Sequence, residues 1–400
     1  MSRSPNSPRP RNGTVSPVSP PPRFALVGNP GNRRTTLFTA AVADAGLPAP
    51  RVLPWTELLT RGASFAPDET VRIDSPGEDP AVEHLLRGVA DPTRVEGTGR
   101  WYARFTAAVR QVAGAARSAG AALLDDPEEL AVLFDKRLCH GVLREAGVPV
   151  PPSPTSGPGA APVTGWADVR AVLHEPGMHR IFVKPAHASS ASGVLAVERG
   201  GRDRWRAVTS VERTADGRLF NSLRVRRHTD EREIAAVVDA LAPDGLHIER
   251  WLPKASQDGR AADLRVVVVA GEATHALVRT SRSPMTNLHL GGVRGDLERV
   301  RAAVRAAGAS WTEALEICER AAAHFPGTLC VGVDLLPATG WRRFAVGEVN
   351  AFGDLLPRLT GLPGSSAEGR DTYAAQVAAV ARGAVPGGPV RRREHRHAAV

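Results

Sequence analysis

The stretch GTLCVGVDLLPATGWRRFAVGEVN, residues 327–350, decides how the chain is read. Two apolar, β-branched runs, 329–336 and 344–349, flank a turn containing Pro and Gly. That pattern predicts a hairpin or two adjacent strands. The first run carries Asp334, and the second ends in Glu348 and Asn350. Glu348 and Asn350 are two positions apart, so an extended chain presents both on one face. Oxygen ligands converging from neighbouring strands suit a hard cation such as Mg²⁺, which draws on substrate phosphates to complete its shell. The competing structural reading is a solvent-facing acidic edge beside a turn asparagine. Spacing within the stretch does not separate the two; the lysines upstream do.

Four hundred residues allow two or three compact units, and 42% hydrophobic content fits a soluble globular enzyme. Cys139, Cys318 and Cys330 are widely spaced and form no CxxC, which argues against structural zinc or a disulfide scaffold and fits a reducing cytoplasm. The start lacks the apolar core of a signal peptide, and no apolar run is long enough to span a membrane. The formal charge of +9 is concentrated at the ends: Arg3, Arg9, Arg11 and Arg23, then Arg391, Arg392, Arg393 and Arg396 against Glu394. The body is close to balanced and lacks the interleaved aromatic and basic positions that stack bases, so no specific nucleic-acid partner is expected.

Residues 1–22 are rich in Pro, Ser and Arg and are expected to be a disordered tail, as are the basic residues 384–400. Between them, Phe24-Ala-Leu-Val followed by Gly28-Asn-Pro-Gly31-Asn32 reads as strand, turn, helix, the opening of an α/β unit. The turn is neither a Walker A motif nor a dinucleotide fingerprint, although an anion could sit at the following helix N-terminus. A long helix is predicted over 101–119. Asp135 can cap a helix whose first turn holds Lys136 and which Gly147 ends. A strand at 180–184 delivers Lys184, and a loop of small residues containing Ser189, Ser190, Ser192 and Gly193 follows it. Such a loop lets backbone N–H groups approach phosphate closely, while a surface hairpin with a stray lysine is the simpler alternative. Residues 201–230 read as a polar, Arg-rich stretch with short strand-like pieces. His247-Ile-Glu249-Arg250-Trp251-Leu252 resembles a strand leading into a hinge, and Asp263-Leu-Arg265 opens an apolar strand that pairs with 274–279. Residues 282–292 read as a loop over a site, and 308–323 as a helix capped by Ser310 with Glu313 three residues on.

Together these pieces supply three oxygen ligands and several cationic side chains, Lys136, Lys184, Arg265 and Arg279, which is what a metal–triphosphate complex needs. No nucleophile elbow with a Ser-His-Asp order is present, and His187, His275, His289 and His324 have no metal-ligand spacing. In this order the motifs resemble those of the ATP-grasp superfamily of carboxylate–amine and related ligases, over residues 121–383. The resemblance implies an α+β ATP-grasp domain, with a phosphate-lid subdomain at about 180–252, preceded by a small α/β domain over residues 23–120 with a short parallel sheet. It assigns ATP to Lys136, Lys184, the loop residues Ser189, Ser190, Ser192 and Gly193, the hinge Glu249, Arg250, Trp251 and Leu252, and Asn287 of Asn-x-x-x-Gly-Gly. That last element looks most like the glutamate-ligase and glutathione-synthetase branches. It assigns Mg²⁺, with Mn²⁺ as the alternative, to Asp334, Glu348 and Asn350.

The implied reaction is ATP-dependent formation of a C–N bond: a small-molecule carboxylate is phosphorylated and an amine displaces the phosphate. Arg265 would steady the acyl phosphate, with Arg279 and Arg282 as second candidates. Two features depart from the family pattern. The phosphate loop has fewer glycines, and Ser256, with Asp258 nearby, stands where an acidic ribose ligand is common. The alternatives are a kinase-like phosphotransferase on the same fold and a non-catalytic ATP-binding protein. A cytoplasmic location is expected, the oligomeric state is open with a dimer as one option, and the loop at 156–165 has no assigned role.

Overall fold

The computed structural model describes residues 21–386 apart from 90, 202, 203 and 355. Nearly all of both expected tails, and Leu355, therefore lie outside the described residues.

Three sheets organise the chain. The first is parallel, with β1 (Arg23–Gly28), β2 (Arg51–Pro54), β3 (Glu69–Ile73) and β4 (Ala122–Leu123) in the order β2-β1-β3-β4. Helix α1 (Arg33–Asp44) follows the Gly-rich turn, with Asn32 capping its first turn. Helices α2 (Trp55–Arg61), α3 (Pro80–Arg87) and α4 (Thr98–Ala119) pack on the sheet around Trp55, Phe105 and Val109. Glycine precedes α4 and supplies no capping side chain. Asp244, far along the chain, accepts hydrogen bonds from the backbone N–H groups of Gly97 and Gly99 instead. That contact ties this sheet's longest helix to the second sheet's surroundings.

Two helices, α5 (Pro127–Leu133) and α6 (Lys136–Glu145), lead out of the first unit. Asp135 caps α6 as its spacing predicts, accepting from the backbone of Arg137 and Leu138. The second sheet is antiparallel and built from β5 (Arg180–Pro185), β6 (Leu195–Gly200), β7 (Arg204–Arg213), β8 (Leu219–His228) and β9 (Leu246–Arg250), in the order β8-β7-β6-β5-β9. Helices α7 (Trp166–His174) and α8 (Glu231–Leu241) cover one face through Val169, Leu173, Ile234 and Val238. The Arg-rich stretch 201–230 is thus two ten-residue strands, longer than the short pieces its sequence suggests. Its polarity belongs to an edge position: β8 is the outermost strand, and most of its side chains are exposed or half-buried.

The third sheet contains β10 (Ser256–Gln257), β11 (Arg260–Val269), β12 (Glu272–Ser281), β13 (Val293–Arg294), β14 (Cys330–Pro337) and β15 (Phe344–Ala351). Its path is β13-β12-β11-β14-β15, with β10 paired to β11. Strands β14 and β15 are the hairpin read from residues 327–350, and a register shift follows Asp334. Even-numbered residues of β11, Leu264, Val266 and Val268, face α9 (Leu297–Ala306) and α10 (Trp311–Ala322) in the largest core. Odd-numbered residues face the other way and change character along the strand. Asp263 and Arg265 are charged, whereas Val267 and Val269 pack near α11 (Thr372–Ala381). The charged half of that face forms the floor of a cleft.

Candidate functional site

Strand register brings the floor together. Asp334 stands opposite Glu348 on β15 and opposite Arg265 on β11, while Asp263 stands opposite Arg279 on β12. Directly opposed residues point to the same face, so one face of the sheet carries all five side chains. Gly332, opposite Asn350, leaves room for this: a Cβ there would lie 2.9 Å from the Gly353 carbonyl oxygen and 3.2 Å from Arg265 Cδ.

The side chains form a mesh of ion pairs. Arg265 Nε lies 2.6 Å from Asp334 Oδ1 and its Nη1 3.2 Å from Asp354 Oδ2. Arg279 Nε lies 2.8 Å from Asp263 Oδ1 and its Nη2 3.1 Å from Asp334 Oδ1. Lys254 Nζ reaches Asp263 Oδ2 at 3.3 Å, and the Thr286 hydroxyl donates to that same oxygen. Burial alone would raise the Asp263 carboxyl, but the Arg279 guanidinium and the Lys254 ammonium outweigh it and hold the pKa well below the usual carboxylate range.

The opposite wall supplies the lysines. Helix α6 begins at Lys136, whose ammonium sits 2.9 Å from Glu348 Oε1 and also donates to the Ala188 carbonyl. Strand β5 delivers Lys184, 2.6 Å from Glu249 Oε1 on β9. Burial would lower the Lys184 pKa, yet Glu249 and then Glu348 raise it above the ordinary lysine value. Glu348 is shifted the other way: burial raises its carboxyl, and Lys136 and Lys184 pull it below the usual range. Lys184 therefore keeps its charge despite its burial.

Of the residues assigned from sequence to ATP, the metal ion or the acyl phosphate, all but Gly193, Trp251 and Arg282 line one cleft of about 730 Å³, and Ser256 and Asp258 lie outside it. Gly193 serves the loop's packing: it has φ +73°, and a Cβ there would meet Pro185 Cγ at 2.5 Å and Val95 Cγ1 at 2.8 Å. The Trp251 ring packs against Phe182 at 5.5 Å, with the Arg180 guanidinium 3.9 Å over it. Arg282 is exposed, just past the end of β12.

The cleft also takes side chains that sequence reasoning did not assign to it: Lys254, Asp354, and Arg33, Arg34 and Glu78 from the first unit. Asp354 arrives because Phe352 and Gly353 both have positive φ, 62° and 65°, which turns the chain back after β15. Its carboxylate lies 3.9 Å from Arg34 Nη2, so the turn after β1 meets the floor there. A run of two arginines beside a Gly-rich turn was the available signal for Arg33 and Arg34.

Beneath Lys184 lies a buried histidine pair. His140 and His247 have ring centroids 5.2 Å apart. His140 is held between Ser156 Oγ and the Pro151 carbonyl, each at 2.7 Å. Burial, and then His247, push its pKa down to about 4 from 6.5. The folded pKa is below the unfolded one, so this contribution to stability is complete above pH 6.5 and is lost as pH falls toward 4, where only the unfolded chain takes up the proton readily. The free energy of unfolding is expected to drop by about 3 kcal/mol over that window from His140 alone. Urea titrations at several pH values measure it, and a flat profile across the window would show that His140 titrates normally in the fold.

The donor chemistry can be matched to an ion. Among the described residues no three His, Cys, Asp or Glu side chains converge as a metal-binding group. Two carboxylates, Asp334 and Glu348, stand beside one amide. Asn350 Nδ2 donates to the Gly332 carbonyl at 3.3 Å, which leaves the amide oxygen as its ligating end. An all-oxygen set with few protein ligands fits Mg²⁺, which keeps waters and takes phosphate oxygens. No helix among the described residues is long and apolar enough to cross a membrane.

No protein-family model matches the chain, and no curated protein matches it in sequence. Solved structures do match in shape. The ATP-grasp ligase PsnB complexed with a phosphomimetic variant of its minimal precursor, Mg and ADP superposes with a TM-score of 0.52 at 16% identity. PsnB complexed with its minimal precursor gives 0.51 at 16% identity. Each comparison covers 90% of this chain and 98% of the other. At this identity the likeness establishes the architecture: three sheets arranged as an ATP-grasp fold.

Proposed function

From the ATP-grasp fold of this chain we propose an ATP- and magnesium-dependent ligase that joins a carboxylate to an amine through an acyl phosphate. The observation that carries the reading is the pairing of cations with acids in one cleft: Lys136 with Glu348, Lys184 with Glu249, Arg265 with Asp334, and Arg279 with Asp263. Two buried arginines and two half-buried lysines are costly to keep unless they have a task, and here each is neutralised by a carboxylate. Two of those carboxylates, Asp334 and Glu348, are also the candidate metal ligands. Their engagement by a divalent ion would release Lys136 and Arg265 toward phosphate. PsnB, which shares the fold, was solved with Mg and ADP, and that supports the assignment.

Asp334, Glu348 and the Asn350 amide oxygen would hold the ion, which when bound supplies charge neutralisation for phosphoryl transfer. Lys136 and Lys184 would steady the nucleotide phosphates. Arg265, with Arg279 behind it, would offset charge on the group in transfer. In the first step a substrate carboxylate oxygen bonds to the γ-phosphorus and ADP departs. In the second the amine nitrogen bonds to the acyl carbon, the C–O bond to phosphate breaks, and the ammonium proton is lost to solvent. The loop 186–194 would keep water from the acyl phosphate. The reading carries a cytoplasmic location, where ATP is supplied.

The test is ADP release with panels of acids and amines. Sustained release is expected only when a matching acid and amine are both present, and Lys184→Met should raise the ATP KM at least tenfold. Release with the acid alone, accompanied by a stable phosphorylated product, would make the protein a kinase instead.

A further inference from the structure

We infer that His247 and Thr155 are positioning residues that set Glu249 and, through it, Lys184, so that the loop at 151–157 belongs to the nucleotide site. The inference rests on the proposed role of Lys184 toward phosphate.

Strand register starts the argument. Lys184 stands opposite His247, and Phe182 opposite Glu249, between β5 and β9. The four side chains therefore share a face of the second sheet. His247 and Glu249 are almost wholly buried, at 1% and 3% exposure. Glu249 Oε1 takes Lys184 Nζ at 2.6 Å. Among the described residues its other oxygen, Oε2, has no closer hydrogen-bond donor than His247 Nε2, at 3.5 Å.

The proton on His247 decides whether that contact is attractive. Thr155 Oγ1 accepts from the Ile248 backbone N–H at 2.8 Å and has one proton to give. It lies 3.0 Å from His247 Nδ1, 3.2 Å from Ser153 Oγ and 3.3 Å from the Ile248 carbonyl. If Thr155 donates to Nδ1, the neutral ring carries its proton on Nε2, pointed at Glu249. If Thr155 donates to Ser153 Oγ or to the Ile248 carbonyl instead, the Thr155–His247 contact is a hydrogen bond only when His247 donates from Nδ1, and a bare nitrogen lone pair then faces a buried carboxylate oxygen. An unmatched buried acceptor of this kind costs about 1–3 kcal/mol. The first arrangement places a donor opposite an acceptor at both ring nitrogens, so Thr155 selects the Nε2–H tautomer. His140, fixed by Ser156 and Pro151, packs against the His247 ring. The Arg250 backbone N–H donates to the Pro152 carbonyl at 2.8 Å, which seats the loop against β9.

The consequence is specific to hydrogen bonding. Thr155→Val keeps the shape and removes the proton, while Thr155→Ser keeps both donor and acceptor. His247→Leu removes the ring donor, and His247→Gln leaves an amide N–H near the Nε2 position. Two measurements test this on the full chain. Nitrogen-15 shifts of the His247 ring should report the Nε2–H tautomer in the parent protein and its loss in Thr155→Val. Calorimetry with Mg²⁺ and AMPPNP should show about tenfold weaker binding for Thr155→Val and His247→Leu, and binding within about twofold of the parent for Thr155→Ser and His247→Gln. In a Lys184→Met background, Thr155→Val should add nothing further.

An Nδ1–H tautomer in the parent, full affinity in Thr155→Val, or a loss that adds to that of Lys184→Met would each overturn the inference. Absence of AMPPNP binding by the parent, with the Nε2–H tautomer present, would instead overturn the nucleotide reading of the site and leave the hydrogen-bonded lock standing.

Discussion

Asp334→Asn is expected to lower ATP-dependent ADP release by roughly a thousandfold while leaving the fold in place. The activity loss follows from position. Asp334 is the carboxylate shared by Arg265 and Arg279, and it stands opposite Glu348 on the neighbouring strand. Asparagine keeps the size but carries no charge for a divalent ion. The fold survives because neither arginine is orphaned: Arg265 retains Asp354 at 3.2 Å and Arg279 retains Asp263 at 2.8 Å. Turnover assays and a melting curve on the same preparation check both halves. Activity within tenfold of the parent would remove Asp334 from the metal set. A melting temperature lowered by more than about 10 °C would show that its charge is structural instead.

Asp263→Ala is expected to do the opposite, destabilising the third sheet by roughly 3–5 kcal/mol whether or not ligand is present. Asp263 is 3% exposed and receives Arg279, Lys254 and the Thr286 hydroxyl at once. Its removal leaves the Lys254 ammonium, among the described residues, with the Thr286 hydroxyl at 3.0 Å and takes the Asp263 partner from Arg279, which keeps Asp334. Breaking a buried pair from one side costs the desolvation of the cation left behind, which explains why the effect exceeds that of an ordinary surface ion pair. Chemical denaturation measures it. A loss below about 1 kcal/mol would mean that water enters and solvates the two cations.

The contrast between these acids shows how far sequence reading reached. The strands that carry Asp334, Glu348 and Asn350 were legible because a hairpin with period-two alternation needs no knowledge of the rest of the fold. The caps at Asp135 and Ser310 were legible for the same local reason. The two long strands at 204–213 and 219–228 were harder to see. Their outer faces carry arginines in place of an apolar stripe, and the outer strand's partner lies on one side only. Asp354 entered the cleft through positive backbone angles at Phe352 and Gly353, and no periodicity announces such a turn. Thr155 and His247 are ninety-two positions apart, and nothing local links them.

The order of residues along the chain was enough to determine the hairpin at 327–350, whose alternation depends on contacts within a few residues, and the order of motifs marked Asp334, Glu348, Asn350 and the two lysines as candidates. Which cation faces which carboxylate was settled only when three sheets closed around one cleft. Coulomb energy and desolvation depend on distance and burial, and those are properties of packing between segments that the chain separates widely.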